Sequence, residues 1–214
     1  MEKARLLDKG LNELSDLLDE MAKIAEKTVS ASIQAYLEGG DIELQVRQWS
    51  DTLINYNNQV GEKAVELIAR YQPVANDLRT IRACIEISYN LSRFGRYAYD
   101  ISTIHKTIGG RGEYGREVVS EMGERTMKMI KASIKAYRTR DARLAEEVSE
   151  EDRIVDQLYF KHLRDCVKNP PRDVEQLITD VLTVRHLERI ADHAVDLASS
   201  TLYMIKGEKI SKLR

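Results

Sequence analysis

The chain has 214 residues, enough for one domain of ordinary size or two small ones, and enough to bury a sizeable core. Hydrophobic residues make up 43% and charged residues 32%, with 3 Pro and 11 Gly, which excludes a disordered or collagen-like polymer. The 33 Lys plus Arg nearly cancel 35 Asp plus Glu, leaving a net charge of −2, so no bulk basicity draws the chain to nucleic acid or to an anionic membrane. Tyr supplies 10 aromatic residues against 2 Phe and 1 Trp, a poor stock for a large β-sandwich but adequate for helices packed through Leu, Ile, Val and Ala.

Charges recur every few residues from Met1 to Lys27, with no apolar block and small-residue cleavage site, so no secretory signal is read and the expected location is the cytoplasm. No uninterrupted apolar run approaches the ~18 to 20 residues that cross a bilayer. Cys84 and Cys166 lie inside helical patterns, form no CxxC pair and are read as having no nearby histidine at ligand spacing. They are expected to be half-buried free thiols without redox or zinc chemistry.

The first segment carries apolar or small residues at Leu7, Leu11, Leu14, Leu18, Met21, Ala25, Thr28, Ser32 and Ala35, in steps of three and four, which predicts one long packed helix. Gly39 and Gly40 end it, and Asp41 is placed to cap a second helix running to about Arg70, where Tyr71-Gln72-Pro73 breaks the pattern. A third runs from about Val74 to Lys106, with Asp77 in its first turn. Residues 109–115 then hold the chain's glycine cluster and are read as a linker between a first unit, 1–108, and a second, 116–214. Three more helices are predicted near 114–138, 141–168 and 172–206.

The second half repeats the first. The run Ala31 to Tyr36 returns as Ala132 to Tyr137, and the offset of 101 also aligns Met21 with Met122, Asp51 with Asp152 and Asn55 with Asp156. Farther on the offset is 96, aligning Asp77 with Asp173, Arg93 with Arg189 and Asp100 with Asp196. The expected fold is all-α: two tandem antiparallel three-helix bundles with six long helices.

Catalytic signatures are absent. There is no GxxxxGK[ST], GxSxG or HExxH, and no glutamate is followed by a histidine three places on, so no catalytic residue and no organic-cofactor residue is assigned. What stands out is a stripe of carboxylates, Glu188, Asp192 and Asp196, rising every four residues along one flank of the sixth helix. Asp152 and Asp156 have the same spacing on the fifth. Carboxylates on two neighbouring flanks repel unless water or a cation screens them, and such oxygens suit Mg²⁺, Ca²⁺, Mn²⁺ or iron. From spacing alone, a solvated acidic face balanced by Arg185 and Arg189 is the plainer reading.

Two stretches, Ala69-Arg70-Tyr71-Gln72-Pro73-Val74-Ala75-Asn76-Asp77-Leu78-Arg79 and Leu187-Glu188-Arg189-Ile190-Ala191-Asp192-His193-Ala194, resemble the signatures of the PhoU family of phosphate-uptake regulators. The resemblance extends over nearly the whole chain, each half looking like one PhoU three-helix repeat. It implies a cytoplasmic, non-enzymatic adaptor linked to the ATPase subunit of a phosphate-specific ABC transporter and, in bacteria, to a phosphate-sensing histidine kinase, with membrane contact only through partners. It also implies a homodimer, and divalent or ferric metal ions held by (E/D)xxxD pairs, here Asp152 with Asp156 and Glu188 with Asp192, with Asp196 as an extension.

The first repeat departs from that pattern. It carries Ser92, Arg93 and Arg96 where the second carries Glu188, Arg189 and Asp192, and Asn55 where the second has Asp156, so its metal site is expected to be lost, with Arg96 free to neutralise Asp51 or Asp100. Two other functions remain open at this point: an accessory protein of a different phosphate carrier, and a metal-dependent phosphoester hydrolase. Apolar residues outside the inward arcs, namely Leu17, Ile24, Ile154 and Leu158, are expected to be covered by the other repeat or by another chain.

Overall fold

The computed structural model describes residues 2–109 and 114–207, with side chains from residue 6 onward. It contains six helices and, among the described residues, no strand: α1 Glu2–Glu38, α2 Glu43–Tyr71, α3 Ala75–Ile108, α4 Arg116–Thr139, α5 Ala142–Lys168 and α6 Val174–Lys206. Each lies where periodicity predicted it, to within about two residues at the ends. Of the glycine segment, Gly109 closes α3 at a φ of 80° and Tyr114 and Gly115 turn into α4; residues 110–113 lie outside the described residues.

Local chemistry explains most helix ends. Gln72 and Arg140 both adopt left-handed backbone, at φ 48° and 51°, and donate their N–H groups back to the last turns of α2 and α4. Asp141 accepts the Leu144 N–H at 3.0 Å, and Asp173 accepts those of Glu175 and Gln176 at 2.9 and 3.2 Å. Asp41 differs from expectation. Ile42 occupies the cap position of α2, and Asp41, one residue earlier, reaches the Glu43 N–H at 3.3 Å while pairing with Lys106 at 3.2 Å. Its main role is thus to tie the start of α2 to the end of α3. Asp141→Ala, which removes a true cap, is expected to cost about 1 kcal/mol in denaturant unfolding, against a few tenths for Asp41→Ala.

Helices α1, α2 and α3 pack on one another, as do α4, α5 and α6, and the two bundles join through α3 on α6 and α1 on α4. Helices α2 and α5 touch only their own repeat. The inward arc of α1 is buried almost as predicted, with Leu14, Leu18, Met21, Ala25, Thr28 and Ser32 at 0–1% exposure. Leu17, Ile24 and Leu158 pack partly buried against the core, whereas Ile154 remains exposed.

The seam is approximately two-fold. His193 Nδ1 lies 2.8 Å from Asn90 Oδ1, and the His186 ring stands 5.7 Å from that of Tyr97. The offset of 96 converts Asn90 into His186 and Tyr97 into His193, so these are one contact repeated under exchange of the halves. A second such pair lies deeper. Tyr36 of the first repeat donates its hydroxyl to Asp180 of α6, and its counterpart Tyr137 reaches back to Ser15 at 3.4 Å and to the Cys84 thiol. Cys84 and Asp180 are themselves 96 apart. The repeated AS-x-x-AY run therefore ends in a tyrosine that crosses the seam from each side.

Candidate functional site

On α6 the stripe forms as spacing requires, half-buried at Glu188 and partly exposed at Asp192 and Asp196. Burial, and then the charge of Asp192, push the Glu188 carboxyl above its ordinary range; Arg185 and Arg189 oppose this, and Asp156 of α5 adds to it. Glu188, Asp192 and Asp156 thus form one electrostatic cluster across the α5–α6 flank.

Arginines hold that cluster. Arg185 Nη1 donates to Glu188 Oε2 at 2.7 Å, with its guanidinium 5.5 Å above the Tyr159 ring, and Arg189 Nη1 meets Asp192 Oδ2 at 3.2 Å. Arg189 Nε also approaches Glu188 at 3.7 Å. Among the described residues no three His, Cys, Asp or Glu side chains converge closely enough to hold a metal ion. The predicted ligands Asp152, Asp156, Glu188, Asp192 and Asp196 therefore occupy neighbouring flanks but are not gathered into a ligand shell. The hard oxygen donors fit a cation, but Glu188 and Asp192 are turned toward the guanidinium groups of Arg185 and Arg189.

In the first repeat Arg96 Nε pairs with Asp100 Oδ1 at 3.2 Å, one of the two partners expected for it. Ser92 donates its hydroxyl to the Tyr89 carbonyl at 2.7 Å, and Asn55 is exposed. An internal ion pair stands where the second repeat has acidic groups.

Both signature stretches lie on the elements that form the site and its counterpart. The PhoU domain model matches residues 18–104 and 119–201, one copy in each repeat. The chain belongs to the PhoU family. It is 32% identical over 214 residues to a protein of Clostridium acetobutylicum named phosphate-specific transport system accessory protein PhoU homolog, covering 96% of this chain and 97% of that one. A Pseudomonas aeruginosa protein of the same name is 29% identical, over 94% of this chain and 85% of its own length. The crystal structure of PhoU from Pseudomonas aeruginosa superposes with a TM-score of 0.87 at 27% identity, over 94% of this chain and 99% of that chain. PhoU from Streptococcus pneumoniae, at 18% identity and a TM-score of 0.72, shares the fold.

Two features of this PhoU chain escaped the sequence reading. The cysteines are fully buried rather than half-buried, and Cys166 has a histidine partner after all, with His162 Nε2 at 3.5 Å from its Sγ. The signal was present as H-x-x-x-C, a four-residue spacing that stacks both side chains on one helix face. The other is Asp180, 1% exposed in the seam. Gly115 packs directly on its carboxyl, where any Cβ would overlap, and Oδ2 has no hydrogen-bond partner.

Proposed function

We propose that this chain is an accessory regulator of phosphate uptake that acts through protein partners and performs no chemistry of its own. The observation that carries the reading is the match of both repeats to the PhoU domain, together with relatives that bear the name of a phosphate-transport accessory protein along nearly their whole length. The partners this implies are the ATPase subunit of a phosphate ABC transporter and, where present, a sensor histidine kinase, met in the cytoplasm. Membrane contact then goes through them, in keeping with helices none of which is long and apolar enough to span a bilayer. The units 1–108 and 116–214, joined by 109–115, are the two halves of this adaptor. Deleting the gene is expected to leave phosphate-starvation genes induced in phosphate-rich medium; repression intact in the deletion strain would contradict the reading.

The same reading includes a homodimer. Exposed Ile54, Val65, Ile68 and Ile154 leave apolar surface for a second copy. Light scattering at micromolar concentration should return about twice 24.5 kDa, and a mass of 24.5 kDa would refute it.

It also includes a metal site at Asp152, Asp156, Glu188 and Asp192, with Asp196 one turn on. A divalent or ferric ion, iron included, would displace Arg185 and Arg189, whose surface pairs are each worth about 1 kcal/mol or less. The repulsion that Asp192 and Asp156 exert on the Glu188 carboxylate supports this reading, because a cation relieves it. Replacing both Glu188 and Asp192 by Ala should abolish uptake of iron or Mn²⁺ by elemental analysis with helicity unchanged, and Arg185→Ala should strengthen it. Full occupancy in the double variant, or metal bound beside the Arg96–Asp100 pair, would overturn the assignment.

A further inference from the structure

Helix α5 packs only on α4 and α6 and so forms the outer edge of the second repeat. Its C-terminal half exposes Phe160 and Val167, at 53% and 84% and two turns apart; just beyond the turn that follows, Val174 and Ile178 are 62% and 42% exposed at the start of α6. Cations surround these apolar side chains. Residues 160–172 hold Lys161, Arg164, Lys168 and Arg172, all exposed, against the single carboxylate Asp165, a net charge of +3 in a chain whose total is −2. None of the four has an ion-pair partner among the described residues. Asp165 stands on the α4 side, where it lines a cavity with Glu117 and His162; Asp173 is turned onto the first N–H groups of α6, and Glu175 lies in that first turn. The exposed pair Val65 and Ile68 on α2 has a different setting, since Glu66 beside it neutralises both Lys63 and Arg70.

We propose that the end of α5 and the start of α6 form a docking face for an anionic lipid surface. Phe160, Val167, Val174 and Ile178 enter the boundary between headgroups and acyl chains, and Lys161, Arg164, Lys168 and Arg172 meet the headgroup phosphates. This goes beyond the phosphate-transport reading, which brings the chain to a membrane through its partners.

Charge complementarity selects this occupant. A second copy docked two-fold through the same face would set the cations against their own equivalents, with no carboxylate stripe to receive them. An acidic helix of another protein is held in a groove, and the cavities of about 250 and 350 Å³ open between α4 and α5, on the opposite flank of α5. What α5 presents here is the outer face of one helix, with apolar tips beside long basic side chains. A deformable lipid surface accommodates that shape: the aliphatic stems of Lys and Arg lie along the boundary while their charges stay level with the phosphates.

Vesicle sedimentation with the intact chain tests the proposal. Vesicles of phosphatidylcholine and phosphatidylglycerol in equal parts should carry the chain into the pellet at low salt and release it at molar salt, and phosphatidylcholine alone should not retain it. Arg164→Gln together with Lys168→Gln should weaken partitioning about 25-fold, at about fivefold for each cation removed near a charged surface. Phe160→Ser together with Val167→Ser should weaken it about tenfold, whereas Val65→Ser together with Ile68→Ser should leave it unchanged, each variant with the wild-type helix spectrum. No transporter takes part in the assay, so its failure leaves the phosphate-transport reading untouched. Absence of binding to the anionic vesicles at low salt, equal binding to phosphatidylcholine alone, or binding unaffected by either α5 double variant would overturn the proposal. Binding to poly-L-glutamate but not to the anionic vesicles would overturn it too, and would assign the face to an acidic protein.

Discussion

Phe94→Ala is expected to destabilise the chain by about 3 to 5 kcal/mol in chemical denaturation. Phe94 is the largest fully buried side chain, at 0% exposure, and sits in the middle of α3, the helix that packs on α1, α2 and α6 alike. Removing it leaves a cavity in a close-packed core, which its neighbours fill only in part. Both repeats should lose stability together. A loss below about 1 kcal/mol, or an unfolding curve in which the second repeat keeps its original midpoint, would show that the seam is not the shared core described above.

The second large effect is pH-dependent and centres on Asp180. Burial in the seam raises its carboxyl to about 6 from 3.8, aided by Asp173 and resisted by hydrogen bonds from the Tyr36 hydroxyl and the Gly115 N–H. A carboxyl whose folded pKa is raised binds its proton more tightly in the native state. Its contribution is therefore full below about pH 4 and is lost as pH rises through 6, a difference of at most about 3 kcal/mol. His162 and His186 run the other way: burial lowers both, so they cost stability as pH falls below about 6.5. Comparison with Asp180→Asn cancels the histidines. The variant keeps an acceptor for Tyr36 but cannot ionise, and its stability relative to wild type should climb by about 2 to 3 kcal/mol between pH 4 and pH 8. A difference that stays constant across that range would contradict the buried-carboxylate account.

These two residues also mark what could and could not be read in advance. The six helices follow from apolar steps of three and four and from breaks at Gly39, Pro73, Gly109 and Pro170, which are local signals. The duplication was legible because Ala31 to Tyr36 and Ala132 to Tyr137 share every residue but one, Gln34 against Lys135. What those tyrosines do was not, since Tyr36 meets its partner 144 positions away. One clue existed: Asp180 falls on the same arc as Thr183, Val184 and Leu187, a charge on a face otherwise turned inward.

The candidate site was half legible. Four-residue spacing of Glu188, Asp192 and Asp196 makes a stripe on any helix, and Asp156 does stand opposite it. That Arg185 and Arg189 turn onto those carboxylates rather than away is a rotamer choice that spacing does not determine. The His162–Cys166 contact was missed because no histidine was read at contact spacing from either cysteine, although His162 precedes Cys166 by one helical turn.

The central proposal, that this PhoU chain serves a phosphate ABC transporter, is tested most directly by affinity capture with the intact tagged chain from phosphate-replete cells, followed by mass spectrometry. The account predicts recovery of the ATPase subunit of a phosphate ABC transporter, with phosphate-starved cells as the comparison. Recovery of an ion-driven phosphate carrier instead, with no ATPase subunit in either condition, would contradict it.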